Sequence, residues 1–201
     1  MGWVHLKTDS KSGITVMQLA GKHRASCFRA EGSLNCAPAA LLALLLDNDR
    51  IPEYNEFYKS FRSLEVPAPC TGGMMRELCL CQYNAVWPTK ARDFVMMTLA
   101  DRVPAAGSPV PERLVVASVS VEHPDAPPHD AFVRGTVICG GYVLHSVPGD
   151  PNSCKVTMIT QSDPGGNLPM SLVNKLSQTA PIKLLKAIRK CVEPGGRKKK
   201  K

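Results

Sequence analysis

Cys79 and Cys81 stand two residues apart in an apolar run, so a strand would carry both thiols on one face. A CxC pair can contribute to a metal site. No second pair follows at ligand spacing, however, and His123 and His129 lie near no cysteine in sequence. The favoured reading is small buried hydrophobes in a reducing compartment, with neither metal nor cofactor expected. Catalytic spacings are also missing. No GxSxG or HExxH occurs, and His145 and Cys81, the two candidates for acid–base or nucleophilic work, have no evident partner. Arg92 and Asp93 form the most noticeable charged pair in an apolar region. Burying either charge alone is costly, so each requires a partner.

The bulk properties narrow the class further. A chain of 201 residues supports one domain and can bury roughly 70% of its unfolded surface, so its eight cysteines need not be a disulfide scaffold. The longest apolar stretch covers 37–46 and includes Pro38, too short for a membrane span. The N-terminus lacks a signal-peptide layout. The net charge is +8, from 25 Lys and Arg against 17 Asp and Glu. Five of the positive charges are Arg197, Lys198, Lys199, Lys200 and Lys201, and without them the chain stands near balance. Basicity is therefore a tail and not a face, and aromatics are only 5%, which argues against nucleic acid. The division expected is a domain over 1–193 and a flexible basic tail over 194–201, in a cytoplasmic, monomeric protein.

The elements that must position these residues follow from periodicity. Strands are predicted over 13–19 and 26–31, separated by Gly21 and Lys22. Asn35 is placed as N-cap of a helix over 37–46 with a Leu41, Leu42, Leu45, Leu46 stripe. A second helix is predicted from Pro52, with Tyr54, Phe57, Tyr58 and Phe61 at helical spacing, and a loop over 66–73. Strands then follow over 75–83, 92–100, 113–121, 132–147 and 155–161, rich in Val, Leu, Ile and Met. Gly140-Gly141 predicts a bulge or bend inside the fourth of these. The segment 168–192 reads as an amphipathic helix that Pro181 should kink or divide. The sum is an α+β layout in which a curved antiparallel sheet of seven strands is covered by a long terminal helix. Such layouts often enclose a cavity.

Val86-Trp87-Pro88 followed by Arg92-Asp93-Phe94-Val95 resembles the START lipid-transfer domain family. So do Ser118-Val119-Ser120-Val121-Glu122-His123-Pro124, Phe132-Val133-Arg134-Gly135, Gly140-Gly141-Tyr142, Lys155-Val156-Thr157 and Asp163-Pro164-Gly165-Gly166 with Leu168-Pro169. The ordered set is specific and spans most of the chain. Gly2-Trp3 resembles the end of that family's first helix, whose earlier part is absent. The resemblance implies a helix-grip fold around one lipid. It also implies a gate formed by the loop over 101–112 and the start of the last helix.

Candidate lipid-contacting residues follow from the resemblance. Arg92 begins a strand in the family and reads as structural before ligand-binding. Six residues on, where many sterol- and phosphatidylcholine-binding relatives carry a second arginine, Thr98 stands, which favours a neutral head group. Relatives that bind ceramide are similar in their WP…RD and SV-acid-H segments. Yet their polar set is replaced by Asn55, Cys81 (with Gln82 adjacent), Ser118 and Met158. Tyr142 follows the double glycine and would face either cavity or surface. Met74, Met75, Met96, Met97, Met158 and Met170 suit an adaptable apolar wall and equally an ordinary core. The loop around 104–109 is uncharged and suited to touching lipid. The basic tail reads as a membrane-surface attractor or as a disordered end.

The leading expectation is a non-enzymatic carrier or sensor of one lipid with a ceramide-, diacylglycerol- or sterol-like neutral head, peripheral at membranes. The alternatives are a helix-grip cyclase or hydrolase acting on a hydrophobic substrate, a phospholipid carrier, and an interaction module whose cavity only stabilises the fold.

Overall fold

The computed structural model describes residues 2–21, 25–65, 68–69, 75–87, 89–103, 113–166, 168 and 170–193. Most of the expected gate, Met74 and the basic tail lie outside these residues, as does the side chain of Met170. The strands are β1 (Trp3–Asp9), β2 (Ile14–Leu19), β3 (Cys27–Leu34), β4 (Tyr58–Ser63), β5 (Ala68–Pro69), β6 (Met75–Tyr83), β7 (Arg92–Val103), β8 (Arg113–Ser120), β9 (Val133–Arg134), β10 (Thr136–Val147) and β11 (Asp150–Asp163). They form a single sheet ordered β1-β2-β3-β11-β10-β8-β7-β6-β4, with β5 on β6 and β9 on β7. All pairs are antiparallel except β7 with β9. The helices are α1 (Pro38–Leu46), the single turn α2 (Ile51–Tyr54) and α3 (Met170–Val192).

Register explains which side becomes the interior. Leu114 and Val116 of β8, Leu144 of β10, Val156 and Met158 of β11, Ala30 and Leu34 of β3 and Val16 of β2 alternate with exposed or half-buried neighbours. All belong to one core, joined by Leu41, Leu42 and Leu44 of α1 and by Ile182, Leu185 and Ile188 of α3. The bend expected at the double glycine is real in conformation. Gly141 has φ 146°, and a Cβ there would sit 1.9 Å from the Val116 carbonyl oxygen. The register shift itself falls just before it, between Val137 and Cys139.

Four local expectations change. Trp3 opens strand β1 and does not end a helix, because residues 3–9 pair with β2. Asn35 is not the cap of α1. Ala37 is, in extended conformation, because Pro38 fixes the first helical residue and disfavours helix before it. The helix predicted from Pro52 ends after one turn. Tyr58 and Phe61 pair instead with Tyr83 and Cys81 of β6, where aromatic side chains fit a strand as well as a helix stripe. Pro181 does not divide α3, which runs as one element of 23 residues. One lost backbone hydrogen bond is outweighed by the packing of Ile182, Leu185 and Ile188 just beyond it.

Of the charged pair, Asp93 finds its partner in Arg134. Asp93 is 2% exposed, and Arg134 donates from Nε and Nη2 to its two carboxylate oxygens, each at 2.9 Å. The remaining guanidinium hydrogens reach the carbonyls of Ala126 and Pro127. The bidentate geometry fastens the segment before β9 to β7. Beside it, a Cβ on Gly135 would meet the Phe94 ring at 2.3 Å, so the chain passes there only as glycine. Arg134→Ala would leave the Asp93 charge buried and unpaired. It is expected to lower unfolding free energy by about 3 kcal/mol, read from urea denaturation. A loss under about 1 kcal/mol would show that solvent already screens the pair.

Candidate functional site

Between the concave face of the sheet, α2 and α3 lies a cavity of about 960 Å³. That is near the top of the roughly 300–1,000 Å³ range of small-molecule sites. β7 contributes Phe94 and Met96, β8 Val116, β10 Val137, β11 Met158, and α3 Leu176, Ala180 and Leu184. Charged side chains gather at the rim: Glu53 and Glu56 near α2, and Lys183, Lys186 and Lys190 on α3. Lys183 pairs with Glu56 across that rim at 3.4 Å, and Lys186 pairs with Asp9 at 3.3 Å.

Of the eight candidate residues, Asn55, Arg92, Ser118, Tyr142 and Met158 line this cavity. Asn55 follows α2, and its Oδ1 accepts a hydrogen bond from the Phe57 amide at 3.1 Å. Arg92 is committed to protein. Nη1 donates to Thr89 Oγ1 and to the Lys90 carbonyl, and Nε donates to the Pro164 carbonyl at 3.4 Å. Burial holds its pKa below the ordinary arginine value. Thr98, Cys81 and Gln82 stand apart from the lining. Thr98 lies opposite Ser118 in the register, and the two hydroxyls are 2.9 Å apart, so it sits beside the lining on the same face of the sheet. Cys81 is buried with its sulfur 3.7 Å from that of Cys79. Gln82 points to the other face of the strand, where Ser60 donates to its Oε1 at 2.8 Å.

The two catalytic candidates are poorly placed for chemistry. His145 alternates with buried Leu144 and so faces away from the core. Burial, then the charges of Arg113 and Lys155, lower its pKa, with Glu31 opposing. The Cys81 thiol is pushed far up, first by its contact with Cys79 and then by burial, which disfavours a thiolate nucleophile. The seven described cysteines are free, five of them buried, Cys191 half-buried and Cys139 exposed.

Tyr54 and Tyr83 are among the lining residues that sequence reasoning does not single out. Tyr54 falls within the predicted helical stripe and ends α2, and Tyr83 is the last residue of β6. Both reach the cavity with Tyr142. Burial raises the pKa of all three, that of Tyr142 to about 12. Each of Tyr54 and Tyr142 raises that of Tyr83 further, and Tyr142 raises that of Tyr54. The signal available in advance was weak, since an aromatic at a strand end or helix turn is ordinary core.

A single curved antiparallel sheet closed by one long helix over an apolar cavity defines the helix-grip class. The START domain family model matches residues 1–196, and the chain belongs to the START domain family. It is 36% identical over 107 residues to START domain-containing protein 10 of Mus musculus, covering 53% of this chain and 34% of that protein. It is 28% identical over 113 residues to the ceramide transfer protein of Homo sapiens, covering 52% of this chain and 18% of that protein. The aligned segments thus span about a third or less of these curated relatives. The solved structure of human StAR-related lipid transfer protein 5 superposes with a TM-score of 0.80 at 18% identity, covering 95% of this chain and 86% of that one.

The phenols make alkaline stability a direct test of cavity geometry. A folded pKa above the unfolded value of about 10 means stability intact below about pH 10. It then declines as pH rises from about 10 toward 12, by about 1.4 kcal/mol per pH unit for each such phenol. Urea midpoints should therefore fall steeply between about pH 10 and pH 12, while phenolate absorbance of the native protein lags behind that of the unfolded chain. Coincident absorbance curves would mean that the rings are open to water.

Proposed function

We propose that this domain binds one lipid in the helix-grip cavity and carries or senses it without altering it, and that the head group is neutral. The observation that carries the reading is the lining itself. Apolar side chains surround a volume large enough for one lipid. Among the described residues, the arginine that lines the cavity, Arg92, is already engaged with Thr89, Lys90 and Pro164. Thr98 spends its hydroxyl on Ser118 and offers an anion no charge. Removing a lipid chain from water is worth roughly 0.8 kcal/mol per CH₂, and polar wall atoms then discriminate among head groups. One relative is named for ceramide transfer and one structural neighbour for lipid transfer, which supports the same reading.

The alternative of an enzyme on this fold needs a positioned acid, base or nucleophile in the cavity. His145 faces outward and Cys81 is a poor thiolate, so the carrier reading is preferred. The membrane role is assigned to the tail, Arg197, Lys198, Lys199, Lys200 and Lys201. There each charge near anionic lipid adds about 1 kcal/mol. Among the described residues no helix is long and apolar enough to cross a membrane.

Mixing the protein with vesicles of mixed lipids, followed by native mass spectrometry and lipid extraction, should recover one unmodified neutral lipid per chain. Chemically altered lipid at multiple turnovers would replace the carrier with the enzyme. Thr98→Arg should lower neutral-lipid uptake by about tenfold, the equivalent of one lost or opposed buried hydrogen bond. Undiminished uptake would remove Thr98 from any role in selection. Deletion of 197–201 should weaken binding to anionic vesicles, and more so at low salt than at high salt. Equal sedimentation with and without the tail would end that assignment.

A further inference from the structure

Tyr54, Tyr83 and Tyr142 come from the end of α2, the end of β6 and the middle of β10, yet all three line one cavity and perturb one another electrostatically. Their rings are held. Tyr83 packs edge-on against Phe94, with centroids 5.7 Å apart and planes at 81°. Tyr54 and Tyr142 pack on the buried core beneath α1 and α3. Their hydroxyls are less well provided for. Among the described residues, the Tyr83 hydroxyl reaches the Cys81 sulfur, a weak partner, and none hydrogen-bonds the Tyr54 or Tyr142 hydroxyl, both of which belong to residues that line the cavity. None of these hydroxyls is a sealed atom without a partner, so they keep access to the cavity volume, where a ligand that excludes water would have to satisfy them.

We infer that the Tyr54, Tyr83 and Tyr142 hydroxyls are the head-group subsite of this cavity. They would donate hydrogen bonds to the hydroxyl, ester or amide oxygens of an uncharged lipid head, an assignment that rests on the carrier reading. The phenols stay protonated at neutral pH, so they offer donors without charge. Such a set rewards a carbonyl or hydroxyl oxygen. It does not repay the desolvation of a phosphate, which needs a desolvated cation beside it. Of the described lining cations, Arg92 does not serve, being bound to backbone and Thr89, Lys183 and Lys186 are paired at the rim, and Lys190 is exposed to water. Because the rings are fixed by packing before any ligand enters, little rotamer freedom is lost on binding.

The test compares the wild type with Y54F, Y142F and Y54F/Y142F, which remove hydroxyls and keep rings. Three vesicle preparations are offered: phosphatidylcholine alone, phosphatidylcholine with diacylglycerol, and phosphatidylcholine with ceramide. Bound lipid is read by native mass spectrometry. Binding of diphenylhexatriene, a hydrocarbon fluorophore with no heteroatom, reports separately on cavity integrity. The expected result is wild-type enrichment of diacylglycerol or ceramide over phosphatidylcholine. Each removed hydroxyl should then cost about 2- to 10-fold in neutral-lipid uptake, with diphenylhexatriene binding retained. Full neutral-lipid uptake by the double variant would overturn the subsite and leave the carrier standing. Wild-type preference for phosphatidylcholine would do the same. Loss of both lipid and diphenylhexatriene would show that the hydroxyls hold the cavity open and do not read the head, which also overturns the subsite. No lipid in the wild type from any vesicle would bring down the carrier reading itself, and the subsite with it.

Discussion

Ile182, Leu185 and Ile188 pin the terminal helix against Ile14, Val16 and Ala30 at one end of the curved sheet. Leu185 and Ile188 are at most 1% exposed, so this contact is as close as protein interiors become. Toward the start of the helix the side chains Leu176 and Ala180 meet open volume instead. The same helix therefore both seals the core and roofs the cavity. An interior that could be filled and is not forgoes dispersion contacts. The cavity persists because strong packing at the pinned end, together with the bend at Gly141, holds sheet and helix apart elsewhere.

The polar groups divide along the same line. On the convex side, Asp93 and Arg134 satisfy each other in bidentate form and tie down the carbonyls of Ala126 and Pro127. Ser60 and Gln82 do likewise across β4 and β6. On the concave side the hydroxyls are only partly matched, as Thr98 to Ser118, or have a sulfur partner, as Tyr83 to Cys81. The Asp93–Arg134 network is saturated, whereas the hydroxyls facing the cavity retain capacity. This is the pattern of a binding wall and not of a core.

Much of the scaffold was legible along the chain. The alternation in 75–83, 92–100 and 113–121 and the apolar stripe of the last helix depend on local period, which the fold preserves. Misreadings occurred where one pattern serves two structures. Tyr54, Phe57, Tyr58 and Phe61 fit a helix face, but β6 offered an edge with unsatisfied backbone groups, and pairing there decided the matter. The adjacent Cys81 and Gln82 could not both face the cavity, since neighbours on a strand point to opposite sides.

The central strands and the terminal helix, the near-neutral composition with its basic tail, and the charged pair that demanded partners were determined by sequence alone, because each depends on composition or on spacing within one element. Arg134 as the partner of Asp93, the size of the cavity and the meeting of Tyr54, Tyr83 and Tyr142 were decided by tertiary structure. Curvature of the sheet sets distances between residues remote in sequence, and no period along a single strand or helix encodes such a distance.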